Sequence, residues 1–498
     1  MRKRRRGTFT AAGLFVGGLV ILLGVIVVFA RTEALERREL LAGQSQIALT
    51  PFGAVEYAIR GEGPPVLVIH GAGGGFDQGL LLAEAVGGEG FRWIAVSRFG
   101  YLQSPLPEDA STAAQADALA ELLSQLGIGR VDVLAMSGGT PPALQLAAKH
   151  PERVGALVLL SPAPFTPFGG EVEGRPIPTS FYTALVGSDV AYWAMQRLAP
   201  GALKSAFDAR SELMTEEEDQ AFAERLVETF QPASARRAGI VNEGAAVDPG
   251  AVYDLEAIGA PVLVVHAADD RLNPVAVGEA IAGRMVGAEF IRYETGGHLL
   301  LGHHGELREK IPAFLLRASC LEDLAALMAM DYWTFDQSPE GVRRVLYKPG
   351  CREAGADLIR DYHAALRAKG QPVTHAFPEG EITFSEDGEI ALLYWHEGQA
   401  RAMAGDTAAA IDLFRLSAEP PEKSYAGWNE YVRASIAFLE GDLDRLKAER
   451  EALSGKVSPG YGDINLGVVD GLIACSGRSY IDAYGAPECN RRPGMAAD

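Results

Sequence analysis

Short apolar runs alternate with longer stretches of helical periodicity over residues 50–160. Pro65–Ile69, Arg92–Val96, Val131–Leu134 and Ala156–Leu160 are too short for helices and read as buried strands. Strands alternating with helices predict a mostly parallel sheet with helices on both faces. The alternation stops near residue 163. From there to about 254 the chain is acidic and amphipathic, as in Thr215–Phe230, and carries no convincing strand. It resumes at Pro261–Val265 and Phe290–Tyr293, so 163–254 is expected to be a helical cap inserted over the sheet.

Beyond Leu316 strands give way to helical periodicity, with a short hairpin expected around Ile382–Leu393. Gly405, Gly441 and Gly477 recur at intervals of 36 residues, each between two apolar helix-like stretches. A helix, a tight glycine turn and a second helix at this spacing resemble tetratricopeptide repeats. Residues 319–498 are therefore expected to form a mainly α-helical, repeat-like domain, with the array over about 380–489.

The other end has a different pattern. Ala11–Ala30 is a run of 20 uncharged residues behind Arg2–Arg6. At 1.5 Å per residue a helix of that length spans a hydrocarbon core of about 30 Å. The reading is a basic cytoplasmic tail (1–10), a transmembrane signal anchor (11–30) and a linker (31–49), with the bulk of the chain on the extracytoplasmic side. A cleaved signal peptide ending at Val28-Phe29-Ala30 is the competing reading, although its apolar core would be shorter.

The length of 498 residues calls for several domains. A net charge of -20 excludes nucleic-acid binding through a basic surface. All four cysteines, Cys320, Cys351, Cys475 and Cys489, lie in the last third of the chain. An even number outside the cytosol reads as two disulfides, and nearest-neighbour pairing is preferred among the three connectivities. No zinc spacing, phosphate loop or haem motif occurs, so no metal or organic cofactor is expected.

One serine stands at a strand-to-helix junction, in Ala135-Met136-Ser137-Gly138-Gly139. A hydroxyl needs a base to remove its proton and donors to stabilise the oxyanion that develops. A tight turn between small residues exposes the serine and aims the next backbone N–H at the same point. Here the chain resembles the α/β-hydrolase family, whose nucleophile elbow is G-x-S-x-G; Ala135 replaces the first glycine. His70-Gly71-Ala72-Gly73 is similar to the family's oxyanion loop, which assigns the N–H groups of Ala72 and Gly138 to the oxyanion and leaves His70 structural. Ser97-Arg98-Phe99-Gly100-Tyr101-Leu102-Gln103-Ser104 resembles its D-R-x-G-x-G-x-S loop, with Ser97 where aspartate is usual. His266-Ala-Ala-Asp269-Asp270 resembles the acid loop and Thr295-Gly296-Gly297-His298 the loop of the base.

The resemblance covers about 50–316 and implies a triad of Ser137, Asp270 and His298, with Asp269 as the alternative acid. His303 and His304 are set aside as members of the final helix. The implied activity is hydrolysis of a carboxylic or small lipid ester through an acyl-serine intermediate, on a small-molecule acyl substrate. Amide, peptide or thioester hydrolysis would use the same residues. In a different class, the chain could be a non-catalytic, membrane-tethered scaffold whose helical domain binds a protein partner. Phe165, Phe168, Phe181, Tyr182, Tyr192 and Trp193 either line an acyl pocket in the cap or form the cap's own core.

Overall fold

The structure is a computed structural model and describes residues 4–163, 187–244, 253–285, 287–321, 324–348, 350–378, 380–457 and 461–489. The chain divides into two compact units, Met1–Leu315 and Leu316–Asp498.

In the first unit the apolar runs form an eight-stranded sheet: β1 (Gln46–Thr50), β2 (Gly53–Arg60), β3 (Pro65–Ile69), β4 (Arg92–Ser97), β5 (Val131–Met136), β6 (Val154–Leu160), β7 (Val262–Ala267) and β8 (Glu289–Tyr293). The spatial order is β1-β2-β4-β3-β5-β6-β7-β8. β2 is antiparallel to both its neighbours, and every pair from β4 to β8 is parallel. Strands covered on both faces are apolar at nearly all successive positions, and β5 is buried from end to end, Asp132 included. Because β3, β5, β7 and β8 run in one direction, the loops after all four open at the same sheet edge. That edge is where open α/β sheets place ligands.

Helix α1 (Arg4–Ala42) is continuous, and β1 follows within a few residues, so 31–49 is no linker but the end of a helix and most of an edge strand. The sequence 31–42 is rich in Ala, Leu, Glu and Arg and contains no proline or glycine, so nothing stops the helix. Its C-terminal part docks through Ala30, Ala34 and Leu41, which are buried. Among the described residues no helix is long and apolar enough to cross a membrane, so the expected span over 11–30 is not found there. Most side chains of residues 4–22 lie outside the description.

Helices α2 (Phe76–Leu82), α3 (Thr112–Gln125) and α4 (Thr140–Lys149) link the first strands. The insertion after β6 contributes α5 (Asp189–Leu198), α6 (Pro200–Ala206), α7 (Glu217–Glu228) and α8 (Arg237–Gly244), followed beyond β7 by α9 (Val275–Arg284) and after β8 by α10 (His304–Cys320). Tyr192 is fully buried and donates to the Val227 carbonyl at 2.6 Å, and Phe230 stacks on Phe207 with centroids 4.1 Å apart. Tyr192 thus belongs to the cap's own core. Trp193 Nε1 instead donates to Glu33 of α1 at 2.8 Å. Phe165, Phe168, Phe181 and Tyr182 lie outside the described residues.

Among its described residues the second unit's only strands form one hairpin, Val373–Phe377 paired with Gly380–Ser385, and helices dominate the rest. The hairpin thus ends before residue 391, where the expected one would have continued; Ala391–Ala404 is a helix instead. Gly405, Gly441 and Gly477 all have positive φ (96°, 74° and 91°), a conformation side chains resist, and each lies in the turn that follows a helix. The 36-residue interval therefore marks three helical hairpins. Cys320 pairs with Cys351 and Cys475 with Cys489, at Cα separations of 5.5 and 5.6 Å. The two bridges sit in separate apolar clusters, one of residues 320–393 and one of 395–489. Loops of 31 and 14 residues correspond to about 3–4 kcal/mol each of restricted unfolded-chain entropy. Reduction is therefore expected to lower the melting temperature of the second unit by more than 10 °C. A melt followed with and without reductant checks this, and coincident curves would refute it.

Candidate active site

Ser137 follows β5 and opens a single 3₁₀ turn, Ser137–Gly139, that runs straight into α4. Its φ is +50°, a strained value for a residue with a Cβ, and it is half-buried. Gly139 explains why the turn can be so tight. A Cβ there would lie 2.4 Å from the Ile69 carbonyl oxygen, so only glycine lets the elbow close against the end of β3. Ala135, at the family's first glycine position, is fully buried in the apolar cluster that includes Val133 and Leu144, and it pairs with Ile69 across the sheet.

Asp270 lies just beyond β7 and His298 just beyond β8. His298 Nδ1 faces Asp270 Oδ2 at 2.9 Å. The Asp270 carboxylate is completely buried and saturated with donors: its Oδ1 accepts the N–H groups of Leu272 and Asn273 at 2.8 and 2.9 Å, and its Oδ2 also accepts from His266 Nε2 at 3.1 Å. Burial alone would raise this carboxyl, but the His298 charge and these hydrogen bonds outweigh it and hold it well below the usual carboxylate range. Burial likewise pulls the His298 imidazole down. Asp270, and beyond it Asp208, outweigh that and leave His298 above its ordinary value.

Asn273 joins this pair to the serine. Its side-chain amide donates to Ser137 Oγ at 3.4 Å and to the Ser161 carbonyl at 2.9 Å, while its backbone N–H is on Asp270. Ser137 and His298 are not directly hydrogen-bonded in this structure. The backbones of the two expected oxyanion donors lie close together: a Cβ on Gly138 would stand 3.4 Å from the Ala72 nitrogen.

Residues 64–304 match the alpha/beta hydrolase fold family. The first unit of this chain belongs to that family. Curated relatives include the uncharacterized hydrolase YcgS of Bacillus subtilis, 28% identical over 261 residues that cover 50% of this chain and 89% of that protein. Another is the 2-hydroxy-6-oxononadienedioate/2-hydroxy-6-oxononatrienedioate hydrolase of Paraburkholderia phymatum, 29% identical over 261 residues, with 51% and 87% covered. Among solved structures, an alpha/beta hydrolase fold protein from Nakamurella multipartita is 30% identical, with 54% of this chain and 98% of that one covered at a TM-score of 0.47. The protein is a hydrolase enzyme. The tetratricopeptide likeness of the second unit has no family match behind it.

Other residues of the hydrolase unit sort themselves by their partners. His70 is buried between the Gly71 carbonyl (Nδ1, 2.6 Å) and the Arg98 N–H (Nε2, 3.1 Å), and burial together with Arg98 keeps its pKa far below the ordinary value. It is a neutral brace between Gly71 and Arg98. Asp269 turns away from His298; it accepts from Arg210 at 2.7 Å and from the Gly297 N–H at 2.8 Å. His303 and His304 reach the carbonyls of Thr295 and Leu299, at 2.9 and 2.8 Å.

The carboxylate expected near position 97 comes from the neighbouring strand. Glu56 of β2 is fully buried and accepts from Ser97 at 2.8 Å, Ser45 at 2.6 Å and the Gln103 backbone at 3.1 Å. No local motif announces that exchange, because the partners lie 41 residues apart. Asn273, Asp208 and Glu243 were equally silent in the sequence. Glu243, from the cap, pairs with Arg98, and its Oε2 would lie 3.0 Å from a Cβ on Gly138. Burial holds its carboxyl above the ordinary range despite Arg98.

Proposed function

We propose that this hydrolase is a membrane-anchored, extracytoplasmic serine esterase that cleaves a carboxylic or small lipid ester through an acyl-Ser137 intermediate. The observation that carries the reading is the 2.9 Å contact between His298 Nδ1 and buried Asp270, tied through Asn273 to a serine held at positive φ. In this reading His298 Nε2 takes the proton as Ser137 Oγ attacks the ester carbonyl. Asp270 fixes the tautomer and stabilises the imidazolium. The N–H groups of Ala72 and Gly138 receive the oxyanion. The intermediate collapses as His298 returns the proton to the departing alcohol, and water, activated by the same imidazole, then releases the acid.

An apolar acyl group suits the surroundings, since Phe230 presses on Gly73, the residue after Ala72. The relatives are named for small-molecule hydrolysis, which supports a small substrate for this chain. Support for the anchor is the uncharged run 11–30 behind a basic cluster, together with the exposed Val20, Ile21, Leu23, Val28 and Phe29 on α1. The disulfide-bonded second unit fits an oxidising compartment. The deciding experiment is to express the full chain in an oxidising compartment and treat the protein with a fluorophosphonate probe. Peptide mass spectrometry should place the adduct on Ser137, and folded protein that never labels there would refute the reading.

The pH dependence follows from the base. His298 must be neutral to accept a proton, and its pKa lies above the usual value of about 6.5. Turnover is therefore expected to fall as pH drops through a point above 6.5, because the imidazole becomes protonated there while Asp270 stays ionised. A kcat/KM profile between about pH 5 and 9 reads this; an acid limb centred below 6.5 would contradict it.

A further inference from the structure

Asp208 stands at the end of α6 in the cap, fully buried, at a φ of +62°. Its Oδ2 accepts the backbone N–H of His298 at 2.9 Å and that of Arg271 at 3.1 Å. Its Oδ1 lies 2.9 Å from Arg210 Nε. Arg210 in turn donates through Nη2 to Asp269 Oδ2 at 2.7 Å and to the Asp269 carbonyl at 3.1 Å, and Asp269 Oδ1 accepts the Gly297 N–H at 2.8 Å. The contacts close into a ring that joins one cap segment to both loops of the acid–base pair. The base loop is moulded around the carboxylate: Gly297 has φ +61°, and a Cβ there would lie 2.8 Å from Asp208 Oδ2.

We propose that Asp208 is a positioning residue for hydrolysis, locking the His298 peptide and the Asp270 loop into one register from the cap. This rests on the reading of His298 as the base. A buried carboxylate is stable only when its charge is paired; here the Arg210 charge beside Oδ1 and the two N–H groups on Oδ2 hold it in one place. Charge-assisted bonds to backbone amides are stronger than neutral ones, and fixing the His298 amide leaves the ring only its own side-chain torsions. A misplacement of about 1 Å at a reacting group costs about 100-fold in rate. The charges around His298 are Asp270 at its ring and Asp208 at its amide; behind these stand Arg210, Asp269, Arg271 and His266. Removing the Asp208 charge therefore makes His298 easier to deprotonate.

The test compares wild type, Asp208→Asn, Asp208→Ala and Gly297→Ala in the full chain. It measures kcat and KM on a short-chain p-nitrophenyl ester, the rate of fluorophosphonate labelling at Ser137, and the pH profile. All three variants are expected to lose about 10–100-fold in kcat and in labelling rate, with KM within about threefold of wild type. In Asp208→Asn, which keeps the shape and one acceptor, the acid limb should move to lower pH. Loss of cap stability alone would not move that limb. Wild-type kcat together with an unmoved limb in folded Asp208→Asn overturns the proposal, even if Asp208→Ala fails to fold. Equal labelling in variant and wild type overturns the positioning role alone; a folded wild type that never labels at Ser137 overturns the catalytic reading and this role with it.

Discussion

Replacing Ser137 with alanine is expected to lower kcat on an activated ester by about a million-fold, because no other hydroxyl of this site stands on the elbow. His298→Ala should cost about as much. The double variant should be no slower than either single one, since nucleophile and base act as a unit and their effects do not add. Ester turnover and loss of the fluorophosphonate adduct measure both. Folding is not at risk for Ser137→Ala, which removes one half-buried hydroxyl whose hydrogen bond to Asn273 is long, 3.4 Å. A Ser137→Ala protein that still turns over at a hundredth of the wild-type rate would end the acyl-serine mechanism.

Asp270→Asn is expected to cost about ten-thousand-fold in kcat with little change in KM. The amide fits the same space, but its NH₂ group competes with His298 Nδ1–H and with the N–H groups of Leu272 and Asn273, all of which now donate to the carboxylate. The imidazole is then left in the wrong tautomer. Asp269→Asn is the control: its partners are Arg210 and Gly297, so its effect should be smaller by two orders of magnitude or so. If the two substitutions exchanged magnitudes, Asp269 would be the acid. Steady-state kinetics on both variants, with melting curves to exclude unfolding, decides between them.

The two aspartates show where local sequence stops being informative. Counting along the acid loop favours Asp270 over Asp269 by resemblance only, and nothing local states what each faces. Asp270 meets His298 across 28 residues, and Asp269 meets Arg210 across 59. The exchange of a carboxylate between Ser97 and Glu56 is of the same kind. So is the cap's hold on His298 through Asp208, which spans 90 residues. In each case a buried charge finds its partner through the approach of two elements, and composition carries no record of that approach.

Chain order alone determined much of this protein. Strands buried on both faces are apolar at nearly every position, so β3 to β7 stand out as runs, and their alternation with helices dictates a parallel sheet. A turn that must expose a serine while the backbone touches β3 must carry glycine beside it, which made Ser137 legible. The glycine interval in the second unit marked its helical turns for the same steric reason. Tertiary structure decided what depends on distance in space. It extended α1 through the supposed linker, moved the hairpin to Val373–Ser385, placed Tyr192 in the cap's core and gave His298 its second anchor in Asp208. Local periodicity reports what one element must bury; a hydrogen bond between distant side chains depends on how several elements pack, which no single window of sequence contains.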